Sequence, residues 1–114
     1  MSMRMSFAYA AVVVGLLGCA TGITLEMVFA GVDTAAVKID NFSFTPQRVT
    51  VKAGTLVTWT NQDDIPHTIM ATTRQFKSKA LDTDDKFSLM FATPGSYDYF
   101  CSLHPHMTGI VVVE

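Results

Sequence analysis

Ser96-Tyr97-Asp98-Tyr99-Phe100-Cys101 runs into Ser102-Leu103-His104-Pro105-His106-Met107-Thr108 and then into Gly109-Ile110-Val111-Val112-Val113. The first segment alternates with period two, so Tyr97, Tyr99 and Cys101 share one face of a strand. The last is a β-branched run that reads as the return strand. A short loop between two strands makes a hairpin, and this loop carries unusual chemistry. Cys101, His104 and Met107 stand at three-residue intervals, offering a thiolate, an imidazole and a thioether at one place.

Taken singly, each of these residues has an ordinary reading, since a lone Cys is usually a small buried hydrophobe and a Met is usually core filler. Together they match the set of two His, one Cys and a weak axial Met that suits copper in both its oxidation states. The loop supplies one His, so a second must come from elsewhere. The chain has three His in all. Outside the loop there is only His67, in Ile65-Pro66-His67-Thr68-Ile69. Structural zinc sites are closed tetrahedra of Cys and His without Met. The expected metal ligands are therefore His67, Cys101, His104 and axial Met107, around one copper.

Working outward, 114 residues at 49% hydrophobic content allow one domain. Residues 7–25 are nearly free of charge, preceded by Arg4 and followed by Glu26-Met27-Val28-Phe29-Ala30-Gly31. A basic start, an apolar run and small residues at the end describe an export signal over residues 1–30, cleaved after Ala30, which leaves a single domain over 31–114. Two alternatives stay open. Leu16-Leu17-Gly18-Cys19 resembles a bacterial lipoprotein signal with Cys19 lipidated, and the apolar run approaches the ~20 residues that span a bilayer, so it can persist as an anchor. Gly15, Gly18 and Gly22 interrupt it. Removal of the leader makes Cys101 the only cysteine, and an unpaired thiol in an exported protein is open to oxidation unless something occupies its sulfur. A metal does so. The net charge of −2 argues against nucleic acid as a partner.

Short β-type runs broken by turn residues fill the rest: 37–44 with a shift near Asn41-Phe42, 48–52, 55–61, 67–72, 86–92, 96–101 and 109–113. Residues 73–86 lack a period and are expected to form a long connection with one helical turn. About seven strands and no convincing helix predict an all-β, antiparallel Greek-key β-sandwich.

Four stretches carry a family resemblance: Gly54-Thr55-Leu56-Val57-Thr58-Trp59-Thr60-Asn61, Pro66-His67, Gly95-Ser96-Tyr97-Asp98-Tyr99-Phe100-Cys101, and Gly109-Ile110-Val111-Val112-Val113-Glu114. With the Cys-x2-His-x2-Met loop they resemble the cupredoxins, within them the amicyanin and plastocyanin group. The resemblance implies a monomeric, periplasmic blue-copper carrier that is not an enzyme and passes single electrons between partners such as a dehydrogenase and a c-type cytochrome. It also implies that His104, flanked by Leu103 and Pro105, is the electron exit inside an apolar patch, with contacts of the small, transient kind. The family usually has Asn where this chain has Thr68, as a tie between the ligand loops, and an apolar residue where it has His106. A copper chaperone, buffer or sensor without an electron partner is the alternative, and His106 is the feature that favours it.

Overall fold

The computed structural model describes residues 32–114. The expected signal, with Cys19 and the cleavage point, lies outside the described residues. Among them no helix is long and apolar enough to cross a membrane.

Eight strands form. The stretch expected as one strand over 37–44 is two, β1 (Thr34–Asp40) and β2 (Ser43–Thr45), joined by a two-residue turn at Asn41-Phe42. Both turn residues have positive φ, 50° and 57°. That is the backbone of a type I′ hairpin, whose twist matches the flanking strands and whose second position favours Gly. Phe42 there carries the left-handed penalty of roughly 1–2 kcal/mol. After β3 (Arg48–Val51), β4 (Thr55–Asn61) buries Thr55, Val57, Trp59 and Asn61 in strict alternation. Of the expected strand at 67–72 only β5 (Met70–Ala71) is regular. The chain then continues through β6 (Lys86–Phe91), β7 (Gly95–Cys101) and β8 (His104–Val113).

The expected helical turn in residues 73–86 is not there: no helix occurs among the described residues. This segment instead satisfies its backbone by lying alongside residues 67–71. Ser78 N–H donates to the Ile69 carbonyl at 2.8 Å and Leu81 N–H to the His67 carbonyl at 2.7 Å, while Phe76 accepts from Ala71 N–H at 3.0 Å.

Two four-stranded sheets, β2-β1-β4-β6 and β3-β8-β7-β5, face each other. The sandwich is as expected, but each sheet is mixed rather than wholly antiparallel. β1 pairs with β4 and β3 with β8 in parallel. Between β1 and β4 the chain passes through β3 in the opposite sheet, so it re-enters the first sheet in its original direction. Side-chain alternation carries no trace of that.

The core fills the space between the sheets. Val37, Ile39, Val57, Trp59 and Phe91 come from one, and Tyr99, Cys101, Val111 and Val113 from the other. Trp59 meets Tyr99 edge-on, ring centroids 5.4 Å apart, and Phe44 closes on Tyr99 at 4.8 Å. Tyr99 pairs across the hairpin with Gly109. A Cβ at Gly109 would overlap the Tyr99 Cζ and hydroxyl, so the ring needs a glycine beneath it. Aromatic packing thus locks β7, and with it Cys101, against the opposite sheet.

Burial pushes the Tyr99 hydroxyl up to about 12, partly opposed by the Trp59 indole N–H, which approaches it without closing a hydrogen bond of ordinary geometry. The unfolded chain ionises this phenol at its ordinary 10.0. Between these two values the unfolded state holds fewer protons than the native state, so stability falls as pH rises. Denaturation midpoints should therefore drop from pH 10 upward, losing about 2 kcal/mol by pH 12, and Tyr99→Phe should remove that part of the slope. An unchanged slope in the variant would show that Tyr99 does not control it.

Candidate metal centre

Cys101 ends β7 and is fully buried. A register shift between Phe100 and Cys101 lets Cys101 pair with His104, so the turn is only Ser102-Leu103. β8 therefore starts at His104 rather than at Gly109 as the sequence suggested. His104 is half-buried, Met107 is buried three residues further along the same strand, and His106 between them is exposed. Met107 belongs to the same buried cluster as Cys101, Tyr99 and Phe44.

His67 comes from the segment after β4, and a fully buried asparagine shapes that segment. Asn61 Nδ2 donates to the carbonyls of Ile65 at 2.9 Å and Leu81 at 2.8 Å, while its Oδ1 accepts the Asp63 N–H at 2.9 Å. His67 exchanges both backbone hydrogen bonds with Leu81, at 3.1 and 2.7 Å. Its ring is wholly buried, with Nε2 2.8 Å from Asp63 Oδ2. The carboxylate of Asp63 also accepts the N–H groups of Asn41 and Phe42, each at 3.0 Å. The Phe42 N–H above all, with His67 and the Asn41 N–H adding, holds this carboxyl below the usual carboxylate range against the opposing effect of burial.

With Nε2 committed to Asp63, the other ring nitrogen of His67 is left for a metal. This is the usual arrangement of a ligating histidine and its carboxylate partner. His67 Nδ1 lies 3.8 Å from Cys101 Sγ, and His104 Nδ1 lies 3.6 Å from the same sulfur. The three donor atoms all fall within 4.8 Å of one another. A metal bonded at roughly 2.0 Å to nitrogen and 2.3 Å to sulfur, at angles near 120°, separates S from N by roughly 3.7 Å. The residues present fit a trigonal ion of that size.

Thr68 and Ser102 tie the two ligand segments together. The Thr68 N–H donates to Cys101 Sγ at 3.3 Å. Ser102 N–H donates to Thr68 Oγ1 at 2.7 Å, and the two hydroxyls pair at 2.8 Å. A threonine hydroxyl thus does here what the resemblance assigns to an asparagine amide, because Ser102 offers both its backbone and its side chain to it.

A family model for the cupredoxin-like domain matches residues 8–113. The chain belongs to the cupredoxins. It is 39% identical over 83 residues to amicyanin-alpha of Methylorubrum extorquens, covering 68% of this chain and 70% of that protein. Amicyanin of Paracoccus denitrificans is 32% identical over 109 residues, covering 88% and 83%. Among solved structures, the novel purple cupredoxin from Nitrosopumilus maritimus matches at a TM-score of 0.67 and 34% identity, covering 70% of this chain and 99% of that one. Family and donor set agree on copper as the cofactor.

All four residues expected from the sequence occur at this end of the sandwich, and the fold brings three of their donor atoms together around one point. Sequence reasoning missed Asn61, Asp63, Ser102 and Phe42. Asp63 and His67 are four apart in an irregular segment, a spacing without meaning outside a helix. Phe42 lies with its ring edge-on to both histidines, centroids 5.7 Å from His67 and 5.2 Å from His104.

The tie makes a direct test. Thr68→Val keeps the shape but leaves the Ser102 N–H without its acceptor, and it should lower the stability of the metal-free protein by about 1–3 kcal/mol. Chemical denaturation measures this. A loss within error of zero would mean that the two segments are held without the hydroxyl.

Proposed function

We propose that the protein is a blue-copper electron carrier whose ion is held by His67, Cys101 and His104, with Met107 as the weak axial ligand. The observation that carries this reading is the convergence of both Nδ1 atoms on one buried sulfur at 3.6 and 3.8 Å. Amicyanins and plastocyanins among its relatives support it. Copper, when bound, supplies a one-electron Cu(II)/Cu(I) couple, and the mixed Cys, His and Met donor set suits both states.

The protein's part is to hold those donors still. Asp63 fixes the tautomer and orientation of His67, and the Thr68 N–H partly offsets the charge on the Cys101 thiolate. Asn61 and the Leu81 backbone clamp the His67 segment. Ligands clamped in this way move little when the charge of the site changes, which lowers the barrier to electron transfer. Burial of Cys101 and His67 keeps water from the sulfur and leaves the half-buried His104 as the edge nearest a partner. Leu103, 51% exposed, lies beside it on the turn. We propose brief contacts there with redox proteins, a dehydrogenase as donor and a c-type cytochrome as acceptor, with the carrier acting as a monomer and not as an enzyme. Residues 1–30 serve as the export signal, which places the domain 31–114 in the periplasm. The relatives' names, amicyanin and plastocyanin, favour this over the chaperone or buffer reading, and His106 is exposed and outside the convergent set.

Adding Cu(II) to the purified protein should produce an intense visible thiolate-to-copper absorption, and Cys101→Ser should abolish it. A wild-type protein that binds Cu(II) without colour would defeat the reading. Met107→Leu should retain the colour and raise the reduction potential, since an apolar axial position disfavours Cu(II). A potential equal to the wild-type value would make Met107 a core residue only.

A further inference from the structure

Phe42 breaks a local rule. The second position of a two-residue type I′ turn calls for Gly, yet a bulky aromatic occupies it at φ 57°, and Asn41 before it is at φ 50°. Such outliers persist where the surroundings over-determine them, and they concentrate at functional sites. Here the determinant is Asp63, whose carboxylate accepts both turn N–H groups at 3.0 Å and also faces His67 Nε2. One carboxylate therefore sets the ligand and the turn together.

The turn places the Phe42 ring against both imidazoles, whose own centroids are 4.9 Å apart. The ring is nonetheless 52% exposed, so it stands between the histidine pair and solvent. Beside it opens a surface cleft of about 200 Å³, with Phe42, Phe44, Gln47, His106 and Met107 among its walls. This cleft is larger than a triatomic anion needs, and it reaches the buried Met107. Phe42 borders the cleft and also packs against both imidazoles.

We propose that Phe42 is an aromatic cap over the metal centre, latched by Asp63, that excludes small anionic ligands and so confines the site to electron transfer without ligand exchange. The inference rests on the copper reading above. A small anion such as azide would reach Cu(II) from the cleft and donate a nitrogen lone pair, with no bond broken and no change of oxidation state. The ring standing perpendicular to both imidazoles closes that approach.

The test uses the copper-loaded full chain, with sodium azide as the probe and visible absorption as the readout. In Phe42→Gly the ring is gone and the backbone is relieved, so the fold is kept. Azide should bind with new absorption bands, half-saturating at least about tenfold below any wild-type response, a difference of about 1.4 kcal/mol. Phe42→Ala should behave alike, and Phe42→Tyr, which keeps the ring, should resist azide as the wild type does. A second readout needs no metal: the metal-free Phe42→Gly protein should melt above Phe42→Ala, the order expected where the backbone is left-handed. Equal azide response in wild type, Phe42→Gly and Phe42→Ala would overturn the cap. The reverse melting order would overturn the strained turn on which it depends. A wild type without thiolate-to-copper absorption would overturn the copper reading itself, and this inference with it.

Discussion

The buried sulfur of Cys101 is held from the protein side, and most of the site follows from that constraint. The Thr68 N–H reaches it at 3.3 Å, and two imidazole nitrogens face it at 3.6 and 3.8 Å. A thiol in a dry core is normally inert. Here it is surrounded by groups that would stabilise its anion or share a metal with it. His67 is fixed by hydrogen bonds to Asp63 and Leu81, Thr68 by Ser102, and that whole segment by Asn61, while His104 is set by its strand pairing with Cys101. The site is thus assembled by the polypeptide's own hydrogen bonds around a position that suits one ion.

The sandwich makes this assembly possible by bringing together segments more than thirty residues apart. Cys101 and His104 come from one hairpin, and its tightness sets their spacing. His67 comes from the crossover segment that follows β4. The two meet because Trp59 on β4 and Tyr99 on β7 lock the sheets face to face through the core. Gly109 matters to the site for the same reason, since it leaves room for the Tyr99 ring two residues before Cys101. Core packing and site geometry are therefore one problem in this fold, and the burial of the aromatic cluster contributes to both.

Much of this was legible in the sequence because the relevant signals are local. The β-branched and aromatic residues of Thr55–Asn61 and the period-two alternation of Ser96–Cys101 identified strands, which the fold contains as β4 and β7. The scarcity of histidine pointed to His67 before any geometry was known. What was illegible is non-local or conformational. Nothing in Thr34–Asp40 shows that it runs parallel to β4. His104-Pro105-His106-Met107 lacks an alternating pattern, so β8 appeared to begin five residues late. The break at Asn41-Phe42 showed only as a shift in pattern, because Phe is a poor turn residue and hides the turn it occupies. Asp63 looked like one of two neighbouring surface acids until the fold brought it to His67 and to the β1–β2 turn.

The central claim is that the ligands are positioned by the protein and stay so in both oxidation states. X-ray absorption at the copper edge tests this most directly, on the same sample before and after reduction. The account predicts a shell of one sulfur and two imidazole nitrogens in each state, with distances that agree within about 0.2 Å, the tolerance of a well-formed site. A shell of oxygen and nitrogen alone, or the loss of an imidazole on reduction, would contradict it.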